Sequence, residues 1–197
     1  MAKRRIIIAM SGASGVNYAV ALLKALGKER GVEMHLIMSE WAEELVKAEA
    51  NIGAKQIKEL AHFHYSEKEM GAKVSSTSFK VDAMVVVPTS VKTCSGIANA
   101  YTNTLITRCA DNMLRTRKPL VVCVRETPLS APALENLHKI AVAGGIVFPL
   151  SPGFYHKPKT IGDLENFVAG KVMDLIGLEN NLYRRWEGKQ AIAGNRK

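Results

Sequence analysis

Cysteine is scarce in this chain: Cys94, Cys109 and Cys123, with no Cys-x-x-Cys pair among 197 residues. That excludes a disulfide scaffold and the usual thiolate zinc sites. An odd count in apolar surroundings predicts reduced, mostly buried thiols. Long hydrophobic runs are missing too, since no stretch approaches the ~20 apolar residues of a membrane span. After the basic residues 1–5 the apolar run covers only 6–10, too short for the core of a secretory signal. A cytoplasmic protein with no membrane association is expected. The formal charge is +9, yet no Lys/Arg run interleaves with aromatics, so nucleic acid is not the expected partner. Attraction of phosphorylated small molecules accounts for the excess equally well. Gly-x-Ser-x-Gly and Gly-x-x-x-x-Gly-Lys are absent, which removes the common hydrolase and NTPase signatures. His62-Phe63-His64 has no carboxylate or thiol set beside it, so no metal is expected.

What is present is an alternation of short β-rich runs and helical segments. Residues 6–10 read as a strand that runs into Ser-Gly-Ala-Ser-Gly, residues 11–15, and a helix over 17–28. Small residues let backbone N–H groups approach a ligand, and the helix N-terminus favours an anion. A phosphate is therefore expected there, with the Ser14 hydroxyl where chemistry would occur. Such turns also close βα units that hold no ligand, and the spacing is not the Gly-x-Gly-x-x-Gly of a dinucleotide site. Residues 33–38 form the next strand, with Ser39 as N-cap of a helix over 40–50. Residues 53–80 read as polar and irregular. The β-branched run 83–87 has the composition of a central parallel strand. Helices over 92–100 and 103–115, a strand Leu120–Val124, a helix over 133–143, a short strand over 145–148 and a last helix over 161–176 follow. The pattern predicts one α/β domain, residues 1–186, with an open parallel sheet covered on both faces, then a polar tail over 187–197.

Ligands of such sheets bind outside the carboxyl ends of the strands. Those ends carry residues 12–14, Ser39, residues 88–93, Arg125 and Glu126, a set suited to a phosphorylated ligand with acid–base capacity. Arg108 and Arg115 are seven apart on one helix face with Asn112 beside them. They either clamp a phosphate or form a solvated basic face beside Asp111. Glu126, at the mouth of an apolar strand, is a candidate acid or base, or else pairs with Arg125 or caps a helix. By position alone Glu49 reads as a surface residue and Lys171 as a solvated cation. Tyr155 either reaches a ligand or packs its loop.

SGASG at 11–15, PTSVKT at 88–93, NTLITRCADNMLRTRKPLVV at 103–122, RETPLSAPALENL at 125–137 and PGFYHKP at 152–158 together resemble the flavin prenyltransferase family, which makes prenylated FMN. The likeness runs from about Ile6 to Trp186. It implies a flavodoxin/Rossmann-like three-layer fold, dodecameric assembly, and reduced FMN and dimethylallyl phosphate as substrates. It places the flavin against Gly12, Ala13, Ser14, Ser39, Ser90, Val91, Lys92, Thr93 and Arg125. It places the second substrate's phosphate against Arg108, Arg115, Tyr155 and Lys171, with Ser14 and Glu49 near the reacting centre. In this family the site lies between subunits. The implied chemistry needs no metal: flavin N5 attacks the allylic carbon as phosphate departs, flavin C6 closes a further ring, and Glu126 handles the protons released. An allylic cation favours an apolar, π-rich enclosure, and the departing phosphate favours concentrated positive charge. The product serves a partner decarboxylase acting on aromatic or α,β-unsaturated acids.

The chain departs from the family pattern at three places. Arg115 and Lys171 stand where lysine and arginine are usual, and Val74-Ser75-Ser76-Thr77 replaces the usual Ala-Ser-Gly-Ser. Two other readings stand beside the first. A cysteine-decarboxylase-type flavoprotein would use a catalytic histidine, and the helix after SGASG holds none. A non-catalytic FMN-binding subunit of a decarboxylase complex would bind flavin without turnover.

Overall fold

The computed structural model describes residues 3–186 and 188. The run Ile6 to Met10 alternates with period two, as a strand covered on both faces must. Ile6, Ile8 and Met10 enter one core and Ile7 and Ala9 enter the other. This strand, β1 (Arg4–Met10), lies between β2 (Val32–Met38) and β4 (Ala83–Thr89), and every residue of β4 is buried. With β3 (Phe63–Ser66), β5 (Leu120–Val124) and the two-residue β6 (Ile146–Val147), the sheet has the order β3-β2-β1-β4-β5-β6, and every pairing is parallel.

Helices α1 (Val16–Leu26), α2 (Glu40–Glu49), α3 (Ala54–Glu59) and α7 (Ile161–Leu175) supply the first core. The second is supplied by α4 (Val91–Ala98), α5 (Leu105–Arg115) and α6 (Ala131–Val142). The three-layer, flavodoxin/Rossmann-like fold is thus formed. Side-chain oxygens of Ser39, Ser90, Thr104, Ser130 and Thr160 accept from the first turns of α2, α4, α5, α6 and α7. Such caps satisfy backbone donors that a helix start otherwise leaves free.

The structure corrects the expectation for residues 53–80, which hold α3, β3 and a 3-10 turn over Lys73–Ser75. β3 is an edge strand of four residues with Phe63 and His64 exposed, so no apolar run marks it. Its order comes from β2: the buried His35 stacks on Phe63 at 4.9 Å between ring centroids and bonds the Tyr65 hydroxyl at 3.1 Å. β4 also outruns its expected end at residue 87. Pro88 has no N–H to give, but its carbonyl accepts from Ser11 N at 3.2 Å, which carries the ladder on to the rim. Among the described residues no helix is long and apolar enough to cross a membrane. Apart from residue 188, the expected tail over 187–197 lies outside the described residues.

Candidate functional site

The strand order reverses between β1 and β4, and at that point open α/β sheets form a crevice at the carboxyl edge. Ser11, which the sequence reading passes over, ties the two loops together. Its Oγ accepts from Ser90 N at 2.8 Å and donates to the Pro88 carbonyl at 3.2 Å, and the residue is 1% exposed. Its signal in the sequence is the leading serine of SGASG. Ser39 N donates to Met10 O at 3.0 Å and Arg125 N to Thr89 O at 3.1 Å. Residues 12–14, 39, 90–93 and 125 therefore share one rim. Gly12 is required by close approach, because a Cβ there would stand 2.7 Å from the Trp41 Cβ.

The turn into α1 differs from expectation. Gly15, at φ +104°, offers no capping side chain. Instead Glu49 Oε2 accepts from Gly15 N at 2.7 Å and from Val16 N at 3.4 Å. Glu49 is thus not a solvated surface residue: its carboxylate takes the anion place that the sequence assigns to a phosphate. Ser14 stands half-buried beside this contact. Glu126 is likewise not the sheltered carboxylate its position predicts. Both it and Arg125 are exposed, and its Oε1 accepts from Thr127 N at 3.0 Å.

The four proposed phosphate ligands divide between two faces of the sheet. α5 leaves the rim near Glu67, whose carbonyl accepts from Leu105 N at 2.8 Å, and returns toward the start of β5. Arg115, its last residue, therefore sits at the edge opposite the crevice, roughly 10 Å along the helix from Arg108 by its rise per residue. Arg115 Nε lies 2.9 Å from Asp111 Oδ2, so within a single copy its side chain is ion-paired along its own helix. Tyr155 and Lys171 lie with α7, on the other side of the sheet. The Tyr155 ring meets Phe167 edge-on at 5.8 Å, and Lys171 Nζ stands 5.8 Å from the Phe167 centroid and 5.2 Å from that of Tyr183. His156 stacks on Phe167 at 4.7 Å with both ring nitrogens buried and unpartnered, and Trp186 packs edge-on against Tyr155. Asp174 binds Arg185, Tyr183 and Asn180, which anchors this end of the chain to α7. The Arg185 guanidinium, chief among these, holds the Asp174 carboxyl below its ordinary range.

All three cysteines are buried, as expected, and burial pushes the Cys94 and Cys109 thiols up to about 12 and Cys123 further. None is poised as a nucleophile.

A crevice of hydroxyls, backbone donors and cations at the switch point of a parallel sheet defines a nucleotide- or flavin-binding protein. A family model described as Flavoprotein matches residues 1–173. Over 186 residues the chain is 44% identical to the flavin prenyltransferase UbiX of Methanothermobacter thermautotrophicus, covering 94% of this chain and 97% of that one. The crystal structure of AnUbiX (PadA1) in complex with FMN and dimethylallyl pyrophosphate matches at a TM-score of 0.92 and 41% identity, covering 94% and 98% of the two chains. A dodecameric FMN-dependent UbiX-like decarboxylase from Escherichia coli O157:H7 matches at 0.91 and 39%, covering 93% and 100%. The chain belongs to the flavin prenyltransferase family.

Proposed function

We propose that this protein joins the dimethylallyl group of dimethylallyl phosphate to N5 and C6 of reduced FMN, giving prenylated FMN for a partner decarboxylase. The observation that carries the reading is the occupied α1 N-terminus. With the Glu49 carboxylate on Gly15 and Val16, the anionic groups of the ligands are directed instead to the N-terminus of α4, Lys92 and Arg125. α2 does not compete, because Glu40 and Glu43 lie in its first turn. On this reading Gly12, Ala13, Ser14, Ser39, Ser90, Val91, Lys92, Thr93 and Arg125 line the flavin crevice, with Ser14 and Glu49 near the reacting centre.

Bound reduced flavin supplies the carbon–nitrogen and carbon–carbon bond-forming atoms, while the phosphate leaves with the electron pair of its carbon–oxygen bond. This chain's residues do the rest. Cations of Arg108, Arg115 and Lys171 with the Tyr155 phenol receive the phosphate. The rings of Tyr155, Phe167 and Trp186 wall the allylic group. Glu126 on the rim accepts the proton released on ring closure. Because α5 and α7 lie on opposite faces of the sheet, these ligands come from different copies in a dodecamer. Residues 1–186 act as one FMN-binding domain, and the protein works in the cytoplasm. The cysteine-decarboxylase reading has no histidine to use on Val16–Leu26.

The test is anaerobic incubation with reduced FMN and dimethylallyl phosphate, then mass spectrometry of the extracted flavin. A gain of one C5H8 unit is expected. Unmodified flavin, with the diphosphate tried as well, sinks the reading and favours a non-catalytic FMN-binding subunit.

A further inference from the structure

Asp174 stands in the last turn of α7, and its carboxylate gathers donors from the segment that follows. Oδ2 accepts from the Tyr183 hydroxyl at 2.6 Å and from Arg185 Nη1 at 2.9 Å. Oδ1 accepts from Arg185 Nη2 and from Asn180 Nδ2, both at 2.8 Å. These donors fill the lone-pair sites of a carboxylate. Arg185 Nη2 also reaches the Asn180 carbonyl at 3.2 Å, and Asn180 Nδ2 reaches the Gly170 carbonyl at 3.0 Å. The approach requires Gly170, because a Cβ there would stand 2.5 Å from Tyr183 Cδ1.

Residues 178–186 form no helix or strand, so side chains set their path along α7. Leu178, Leu182 and Tyr183 pack on the first core, whereas Arg185 and Trp186 are exposed and lie outside it. An isolated surface ion pair contributes little, but a bidentate fork within a network fixes direction as well as distance. Arg185 makes that fork one residue before Trp186, whose ring meets Tyr155 edge-on at 5.8 Å. Tyr183, held by the same carboxylate, stands 5.1 Å from the Phe167 centroid and 5.2 Å from Lys171 Nζ. We propose that Asp174 is a positioning residue: by forking Arg185 it seats the Trp186 indole on the Tyr155 ring, and so fixes the wall that encloses the allylic group. The kinetic part of the test rests on the prenyl-transfer reading, and the fluorescence part does not.

Trp41 and Trp186 are the two tryptophans of the chain, so Trp41→Phe leaves Trp186 as the sole indole emitter. In that background the FMN-free protein would be compared with and without Arg185→Gln or Asp174→Asn. The asparagine amide offers one acceptor oxygen and turns N–H groups against the converging donors. Arg185 is exposed outside both cores, so its variant keeps the fold should Asp174→Asn unfold. Trp186 is 51% exposed, and its release should raise acrylamide quenching by about twofold and lower the anisotropy in both variants. In turnover, with Trp41 restored, Arg185→Gln should raise the KM for dimethylallyl phosphate about fivefold to tenfold and leave that for FMN within about twofold. Added to Trp186→Ala, it should have no further effect. Unchanged quenching in either folded variant overturns the proposal. So does a fall in kcat with both KM values unchanged, the mark of lost folded protein alone, or a KM rise that adds in full to that of Trp186→Ala. If the wild type forms no prenylated flavin, the prenyl-transfer reading fails by itself, and the fluorescence still decides whether Asp174 seats Trp186.

Discussion

Glu49 shows how much one side chain can redirect a site. At the α1 N-terminus a carboxylate and a ligand phosphate compete for the same N–H groups, and the carboxylate is covalently tethered there. Glu49→Gln retains an acceptor oxygen for Gly15 N–H. Its stability in denaturant titrations should stay within about 1 kcal/mol of wild type, whereas Glu49→Ala should lose about 1–2 kcal/mol. Both should lower the rate of flavin prenylation, on the order of a hundredfold if the charge acts at the reacting centre. Full activity in Glu49→Gln would leave the residue a helix cap and nothing more. No local pattern announces this contact, since Gly15 and Glu49 are 34 positions apart. Ser39, by contrast, was legible as a cap because a cap bonds within three residues of itself.

At the level of elements, β3 is the part that sequence patterning missed. Half of it faces solvent and the strand is short, so neither alternation nor an apolar run appears. Its stability is borrowed from His35, whose imidazole bridges Glu33 Oε1 at 3.0 Å and the Tyr65 hydroxyl. Burial lowers the His35 pKa and outweighs the Glu33 carboxylate, which favours the imidazolium. The unfolded imidazole therefore takes up a proton at higher pH than the folded one. Stability from this group is complete above about pH 6.5 and falls as pH drops from there through the folded value. Glu33, held below its ordinary range chiefly by the His35 hydrogen bond, adds a second loss at lower pH. Thermal melts across pH 7.5 to 4 should show a decline beginning near about pH 6.5, which is expected to flatten in His35→Asn. An identical decline in that variant would place the sensitive group elsewhere.

At the scale of the whole molecule, the residues proposed to receive the phosphate lie on two faces of the sheet in a single copy. Arg108 and Arg115 lie with the α4/α5/α6 layer and Tyr155 and Lys171 with the α1/α7 layer, so the sheet stands between them. Separately purified Arg108→Ala and Lys171→Ala proteins should each form little prenylated flavin. After dissociation and mixed reassembly some sites carry both intact residues, and activity should return. Failure to recover activity in demonstrably mixed oligomers would mean that each site is built within one chain.

Much of this architecture follows from the sequence by itself. Alternating βα segments with β-branched strands dictate a parallel sheet, and that sheet gathers the small and hydroxyl residues of successive strand ends on one edge. Those signals are local, because strand period, cap and turn act over a few residues. The tertiary structure alone decided which anion sits on α1, that an edge strand forms at Phe63–Ser66, and that Arg115 faces Asn112 at the edge away from the crevice. Each of these depends on groups brought together by packing across the sheet or between layers, where sequence separation carries no information about distance.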